Sequence, residues 1–235
     1  MFDKIFRLTS SVFLILVSLS LPVVAQKTAP SPSKSPEVSS NAENTGAQDL
    51  QKTILAEINL LRKDPRAYAG FLEQMKSAME GNIAVFSGGR RIVTKEGTAA
   101  VDEAIRVLKR EKSLPVIENS PGLAKAAALQ LADLKENHTL GHLGKDGSDE
   151  LGRMSKFGIP GKFTGENISL YTSEAREIII AMLIDDGLKS RVHRINLLSK
   201  QFKLAGIAYG KGKNDMVICV IDFADKFTEK PLRKE

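Results

Sequence analysis

Hydrophobic residues recur at helical spacing through most of the chain after residue 48. Leu50, Ile54, Ile58 and Leu61 share one face of a helix, which predicts an amphipathic helix over residues 49–63. Asp64 and Pro65 then provide a cap and a first-turn proline for a second helix. Further helices are predicted around 101–108, over 121–137, after a cap at Ser148 and over 173–186.

Two apolar segments near the end of the chain have the character of strands. They cover residues 203–210 and 216–224, and they are separated by a polar turn. The second segment, MVICVIDFA, is apolar on both faces, so we expect helices on both sides of its sheet. Residues 81–97 contain several glycines and little periodicity, and they predict a loop or a small hairpin.

The two ends of the chain differ in composition from the middle. Residues 1–25 combine two basic residues, an apolar stretch and a Val-Val-Ala end, the pattern of a secretory signal peptide. Residues 26–48 are rich in Pro and Ser and predict a disordered linker. We therefore expect one domain over 49–226, followed by a charged tail over 227–235. The mature protein is predicted to be secreted, to the periplasm or the outside, without a transmembrane anchor.

Charge and cysteine content narrow the classes of function. The formal net charge is +6, but no basic stripe with interleaved aromatic residues is present, so nucleic-acid binding is not expected. Cys219 is the single cysteine, which excludes an internal disulfide. It lies in the most apolar strand, so we expect a core residue and not a nucleophile.

Histidines and acids in the second half are the candidates for chemistry. The chain has three histidines, His138, His142 and His193, and Glu166 lies between the last two. Imidazoles and carboxylates supply divalent-metal sites and acid-base chemistry when the fold brings them together. Glu166 is notable because it interrupts a strand-like segment, FTGENISLY, and a backbone-binding role for it is an open alternative. Arg191 and Arg194, which flank His193, either hold an anionic ligand or pair with Asp185 and Asp186.

The order of these motifs resembles a known family. The stretches GHLGKDGSDELGRMSKFG, GEN and SRVHRINLLSKQFKLAGIAYG, followed by a terminal strand ending in DFA, resemble the CAP superfamily. That superfamily includes cysteine-rich secretory proteins, antigen 5 and pathogenesis-related proteins, and this chain is similar to its bacterial branch without disulfides. The resemblance covers about residues 51–225, and the insert over about 76–100 is unmatched.

The resemblance implies a fold and a site. The fold is of the α+β class, a three-layer α/β/α sandwich around a small antiparallel sheet of three strands. The site is a cleft lined by His142, Glu166 and His193, with a second acid at Asp185 or Asp186 in place of the usual glutamate. These five residues are the candidate ligands for a divalent metal such as zinc, and no organic cofactor is expected.

Three functions are compatible with such a cleft. The first, which we favour, is a secreted binding module for a lipid, glycan or peptide, with or without a divalent metal. The second is a metal-dependent hydrolase in which Glu166 would be the catalytic base. The third is a structural or interaction protein of the cell envelope.

Overall fold

The apolar segments near the end of the chain form the centre of an antiparallel sheet. The structure is a computed structural model, and it describes residues 38–137, 141–170, 174–212 and 217–231. The helices are α1 (Val38–Lys63), α2 (Pro65–Ser77), α3 (Thr98–Arg110), α4 (Pro121–Asn137), α5 (Glu150–Phe157), α6 (Ala175–Ile184) and α7 (Val192–Leu198). The strands are β1 (Ile83–Val85), β2 (Arg91–Val93), β3 (Glu118–Asn119), β4 (Gly158–Pro160), β5 (Thr164–Leu170), β6 (Leu204–Lys211), β7 (Val217–Ala224) and β8 (Phe227–Glu229).

The main sheet has the strand order β3-β6-β7-β5. Strands β5 and β6 both pair with β7 in antiparallel fashion, which confirms the expected antiparallel core of three strands. The short strand β3 adds a parallel pair at the edge of β6. Strand β5 forms the opposite edge, and β7 is buried along its whole length.

Helices cover both faces of this sheet, as the apolar pattern of β7 predicts. Alternate residues of a strand point to opposite faces. Ile218 and Val220 of β7 pack with α4, whereas Cys219, Ile221 and Phe223 face a larger core that contains residues of α1, α2, α3 and α6. The fold is therefore an α/β/α sandwich. Cys219 lies in this core, and burial raises the pKa of its thiol to about 12.

The first helix differs from the prediction. Helix α1 begins at Val38, so it extends into residues 38–48, which the composition had assigned to a disordered linker. The prolines that dominate the linker end at Pro36, and no proline follows until Pro65. Nothing in residues 38–48 therefore removes a helical hydrogen bond. The predicted signal peptide lies outside the described residues.

The C-terminal segment is also more ordered than predicted. The composition predicts a charged tail over residues 227–235, whereas Phe227–Glu229 form β8, which pairs with β4. Phe227 packs against the cluster around Leu123 and Met154. Glu229 accepts hydrogen bonds from the Ser120 hydroxyl at 2.7 Å and from the Gly122 N–H at 3.1 Å. An acid at the N-terminus of α4 is favourable, and this gives the segment a fixed position.

Two local features refine the predicted element ends. Asp64 caps α2 as expected, and its carboxylate accepts from the Ala67 N–H at 2.9 Å. The cap of α5 is Asp149 and not Ser148, because the Asp149 carboxylate accepts from the Gly152 N–H at 2.7 Å. The insert forms the hairpin β1–β2, one of the two alternatives for residues 81–97. In the described parts of the chain, no helix is both long and apolar enough to cross a membrane.

Candidate functional site

Glu166 lies at the edge of the sheet with its side chain on the α4 and α5 side. Its Cα partner across the ladder is Asp222, so the two acids occupy the same face of adjacent strands. The Glu166 side chain is only 1% exposed. One carboxylate oxygen accepts from His142 Nδ1 at 2.8 Å, and the other accepts from an Arg153 terminal nitrogen at 2.6 Å. Both oxygens of Glu166 are therefore used within the protein.

The loop that carries His142 is fastened to α4. The Gln130 side-chain amide donates to the Gly141 carbonyl at 2.6 Å, and the Asp133 carboxylate accepts from the Lys145 N–H at 2.8 Å. His142 itself is about half exposed, with 49% of its side-chain surface accessible. The hydrogen bond to Glu166 is the main cause that raises the pKa of His142, and burial opposes it. His138 lies outside the described residues.

Arg153 is a site residue that the sequence analysis missed. Its guanidinium is buried, and it donates to the His142 and Ser148 carbonyls at 3.0 and 2.9 Å in addition to Glu166. It thus holds the acid and the main chain of the histidine together. The sequence around Arg153 predicts the helix α5 from its acidic cap. It contains no pattern that indicates Glu166 as the partner of Arg153.

Asp222 was also missed, although the sequence contained a signal. An acid in the middle of the most apolar strand is unusual, since burying a charge without a partner is costly. Asp222 is fully buried, and neither of its carboxylate oxygens has a hydrogen-bond partner among the described residues. Burial, followed by the nearby Glu166 carboxylate, raises the pKa of Asp222 well above its ordinary range. Burial therefore favours the protonated form of this carboxyl group in the folded protein.

His193 forms a second pair, with Asp185. Asp185 ends α6 in the left-handed region, with φ of 56°, which turns its carboxylate toward the start of α7. That carboxylate accepts from His193 Nδ1 at 2.7 Å and from the His193 N–H at 2.9 Å. Asp185, and not Asp186, is thus the acid that pairs with the histidine. Asp186 instead accepts from the N–H groups of Lys95 and Glu96 at 2.7 and 2.8 Å.

The two histidine–acid pairs are linked through adjacent residues of β5. Glu166 faces the α5 side, whereas the Asn167 amide faces the other side and donates to the His193 carbonyl at 3.0 Å. Asn196 of α7 donates to the Asn167 side chain at 2.8 Å. In the described ranges, no three or more His, Cys, Asp or Glu side chains converge to hold a metal ion. The predicted cluster is thus organised as two pairs.

Each imidazole nevertheless has the orientation that metal-bound histidines have. Nδ1 of both His142 and His193 contacts a carboxylate. This contact fixes the ring and leaves Nε2 as the nitrogen for a further partner, as in the carboxylate–histidine pairs around zinc. The donor chemistry suits a metal such as zinc, while the number of donors at each pair is small.

A cavity of about 300 Å³ adjoins the second pair. Its walls are mainly apolar, and its ionisable lining residues are Asp185, Asp186 and His193. Part of the wall is the edge strand β5, from Ile168 to Leu170, and part is the hairpin of the insert. The remaining lining residues are Met75, Ala84, Phe86, Ile92, Thr94, Ala181, Met182 and Ile184.

The side chains of Arg191 and Arg194 do not form ion pairs with Asp185 or Asp186. Arg191 makes ion pairs with Glu96 and Glu103 at 2.7 and 2.8 Å. Arg194 pairs with Glu103 at 2.7 Å and donates to the Leu183 carbonyl. The expectation that these arginines pair with the carboxylates of Asp185 and Asp186 is wrong, because their ion pairs are made with acids of the insert and of α3, and Arg191 reaches only the main-chain carbonyl of Asp185, at 2.7 Å. Both arginines instead hold the start of α7, which carries His193.

Comparisons with known proteins give one family match and several similar structures. A family model described as the Cysteine-rich secretory protein family, abbreviated CAP, matches residues 55–223. No protein of curated function matches significantly. An extracellular protein containing an SCP domain from Bacillus anthracis is 25% identical with a TM-score of 0.38, over 48% of this chain and 35% of that one. An outer surface protein from Borrelia burgdorferi is 22% identical with a TM-score of 0.42, over 64% of this chain and all of that one.

Proposed function

Because the chain belongs to the cysteine-rich secretory protein (CAP) family, we propose that it is an exported binding protein whose ligand occupies the cavity beside His193 and Asp185. Export is supported by the signal-like pattern of residues 1–25. The ligand is a lipid, a glycan or a peptide. Binding, and not turnover, is favoured because both oxygens of Glu166 are engaged by His142 and Arg153, which leaves it a structural role.

The cavity is the observation that carries this proposal. Its volume of about 300 Å³ lies at the lower end of the range of ligand pockets, and its lining combines apolar side chains with a few polar groups. Such a lining buries the apolar part of a ligand, while the polar groups at one end set its orientation. His193 is suited to the second task because Asp185 fixes its ring.

The proposal includes a divalent metal, such as zinc, that the two imidazoles bind. Nε2 of His142 and of His193 would be the ligand atoms, since Nδ1 of each is used by a carboxylate. When bound, zinc would supply a positive charge that attracts an anionic or carbonyl group of a ligand. Because few donors are present at each pair, we expect weak binding.

One thermal-unfolding screen tests the proposal. Short-chain fatty acids, glycan fragments, peptides and zinc chloride are added separately to the full chain. A ligand at 100 times its dissociation constant should add roughly 2.7 kcal/mol to the free energy of unfolding. The variant Ala181→Leu, which fills the cavity from α6, should lose the response to organic ligands, and the variant His142→Ala/His193→Ala should lose the response to zinc. The exposed substitution Ala99→Leu in α3 is the control. If no organic probe of any class raises the unfolding temperature, the binding function is wrong.

A further inference from the structure

We propose that the organic ligand is an extended peptide that adds a strand to the open edge of β5 and carries a basic side chain. This inference rests on the proposed function and narrows its ligand to one class. It follows from three features of the described residues: the edge of the sheet, the position of the cavity and the charge of its lining.

The first feature is the direction of the main-chain groups of β5. The Phe163 carbonyl accepts from the Asp225 N–H at 3.0 Å, so this position of the ladder bonds toward the β7 side. In an antiparallel ladder the bonded and non-bonded positions alternate along the strand. The register of β5 and β7 is continuous from Thr164 to Leu170, so the main-chain groups of Glu166, Ile168 and Leu170 point away from β7. The weak contact from Asn196 Nδ2 to the Glu166 carbonyl, at 3.5 Å, lies on that outer side.

The second feature is that the cavity lies along this outer edge. Ile168, Ser169 and Leu170 line it, and no described strand pairs with β5 on that side. Unpaired N–H and C=O groups of an edge strand are a template for another extended chain. Recognition by strand addition takes affinity from main-chain hydrogen bonds and specificity from pockets for alternate side chains. A lipid or a glycan has no main chain that could pair with the N–H and C=O groups of β5 in this way.

The third feature is the charge at the end of the cavity. The ionisable groups of its lining are two carboxylates, those of Asp185 and Asp186, and one imidazole, that of His193. The arginines that neutralise acids nearby are committed to Glu96 and Glu103. A cationic group on the ligand is therefore complementary in charge. In an extended peptide, side chains two residues apart lie on the same side, so an apolar residue and a basic residue at positions i and i+2 match the apolar and the acidic parts of the lining.

The hairpin β1–β2 gives the site its outer wall. Ala84 and Phe86 lie in or next to β1, and Ile92 lies in β2. The hairpin is held by the ion pair of Arg90 with Glu177 and by the two hydrogen bonds that Asp186 accepts from residues 95 and 96. The insert thus completes a slot whose opposite side is the edge of the sheet.

Fluorescence anisotropy with a labelled peptide library tests the inference on the full chain. The probes are heptapeptides acetyl-Thr-X-Thr-Lys-Thr-X-Thr-amide, in which X is Val, Leu, Ile, Met or Phe. At least one member should bind. Replacing Lys by Glu, or methylating alternate main-chain nitrogens, should each weaken binding at least about tenfold, as the loss of one charge pair or several hydrogen bonds implies.

Protein variants complete the test. Ala181→Leu should weaken peptide binding about tenfold or more, and Ala99→Leu, at an exposed position of α3, should leave it unchanged. Urea unfolding of each variant checks that it is folded. If the N-methylated peptide binds as tightly as its parent, strand addition is wrong. If no library member binds but dodecylammonium does, and Ala181→Leu removes that binding, the ligand is an amphipathic amine, and the inference fails while the binding function stands. If neither binds and the unfolding screen is also negative, both fail.

Discussion

The buried ionisable groups around Glu166 compensate one another's charge. Arg153 brings one positive charge to a site where two carboxyl groups, those of Glu166 and Asp222, share a sheet face. Burial and the neighbouring acid raise the pKa of Asp222, which favours its neutral form and so favours the pairing of one buried anion, Glu166, with one buried cation, Arg153. Burying an ion pair is less costly when its remaining hydrogen-bonding positions are satisfied. The second oxygen of Glu166 is satisfied by the hydrogen bond from His142.

This arrangement predicts that His142 stabilises the fold more in acid than in alkali. Its pKa is raised in the folded state, so the folded protein binds the proton more tightly than the unfolded chain does. The stabilisation is complete below pH about 6.5, the value for an unfolded chain, and it is lost as the pH rises through the folded pKa. Half of the ring is exposed and solvent screens the pair, so we expect less than about 1 kcal/mol.

Urea unfolding at pH 5.5 and pH 9 measures this contribution. The loss of unfolding free energy in His142→Gln should be larger at pH 5.5 than at pH 9. Leu143→Gln, a change at the exposed neighbouring residue, is the control and should show no such difference. Equal losses for His142→Gln at both pH values would contradict the charged pair.

At the scale of elements, the packing of α4 on the sheet depends on one glycine. Gly206 of β6 lies across the ladder from Asp222, and a Cβ at this position would be 1.9 Å from the Ala124 main-chain nitrogen. The two backbones are thus in direct contact, and α4 in turn anchors the loop of His142 through Gln130. No side chain can be accommodated there unless the helix moves.

We therefore expect Gly206→Ala to destabilise the protein by about 3 kcal/mol, at the upper end of the usual cost of overpacking. The matched change is Gly70→Ala in α2, where a Cβ would meet no atom within 4 Å. That variant should gain about 0.5–1 kcal/mol, because alanine is the better helix former. Unfolding free energies from urea titration measure both changes. Similar values for the two variants would mean that α4 is free to shift on the sheet.

The sequence could predict the features that depend on local contacts, and it could not predict those that depend on distant contacts. The core face of α1 and the cap at Asp64 depend on residues a few positions apart, and both are found. The sandwich follows from the two-faced apolar pattern of β7. The partner of each histidine depends instead on the register of β5 with β7 and on the left-handed turn at Asp185, which no local pattern specifies. For this reason Arg153 and Asp222 were not identified, and Asp185 could not be separated from Asp186.

At the scale of the whole molecule, the last described strand, β8, contacts the start of α4. Phe227 packs beside Leu123 and Met154, and Glu229 accepts hydrogen bonds from Ser120 and Gly122 at the first turn of the helix. Glu229 is more than 100 positions from both Ser120 and Gly122 in sequence. Since α4 also holds the loop of His142, the C-terminal strand supports the site from the far end of the same helix.

A chain that ends at residue 226 should therefore be less stable than one that ends at residue 231. The expected loss is about 2–4 kcal/mol, from a partly buried phenylalanine and one helix cap. For a domain of this size, each 1 kcal/mol lowers the unfolding temperature by roughly 2–4 °C. Differential scanning calorimetry measures the difference, and Glu229→Gln in the full chain isolates the charge at the helix terminus, with an expected loss below about 1 kcal/mol. If the two truncated chains unfold at the same temperature, β8 is not a structural part of the domain, and the positions of α4 and of the His142 loop must be set by the sheet alone.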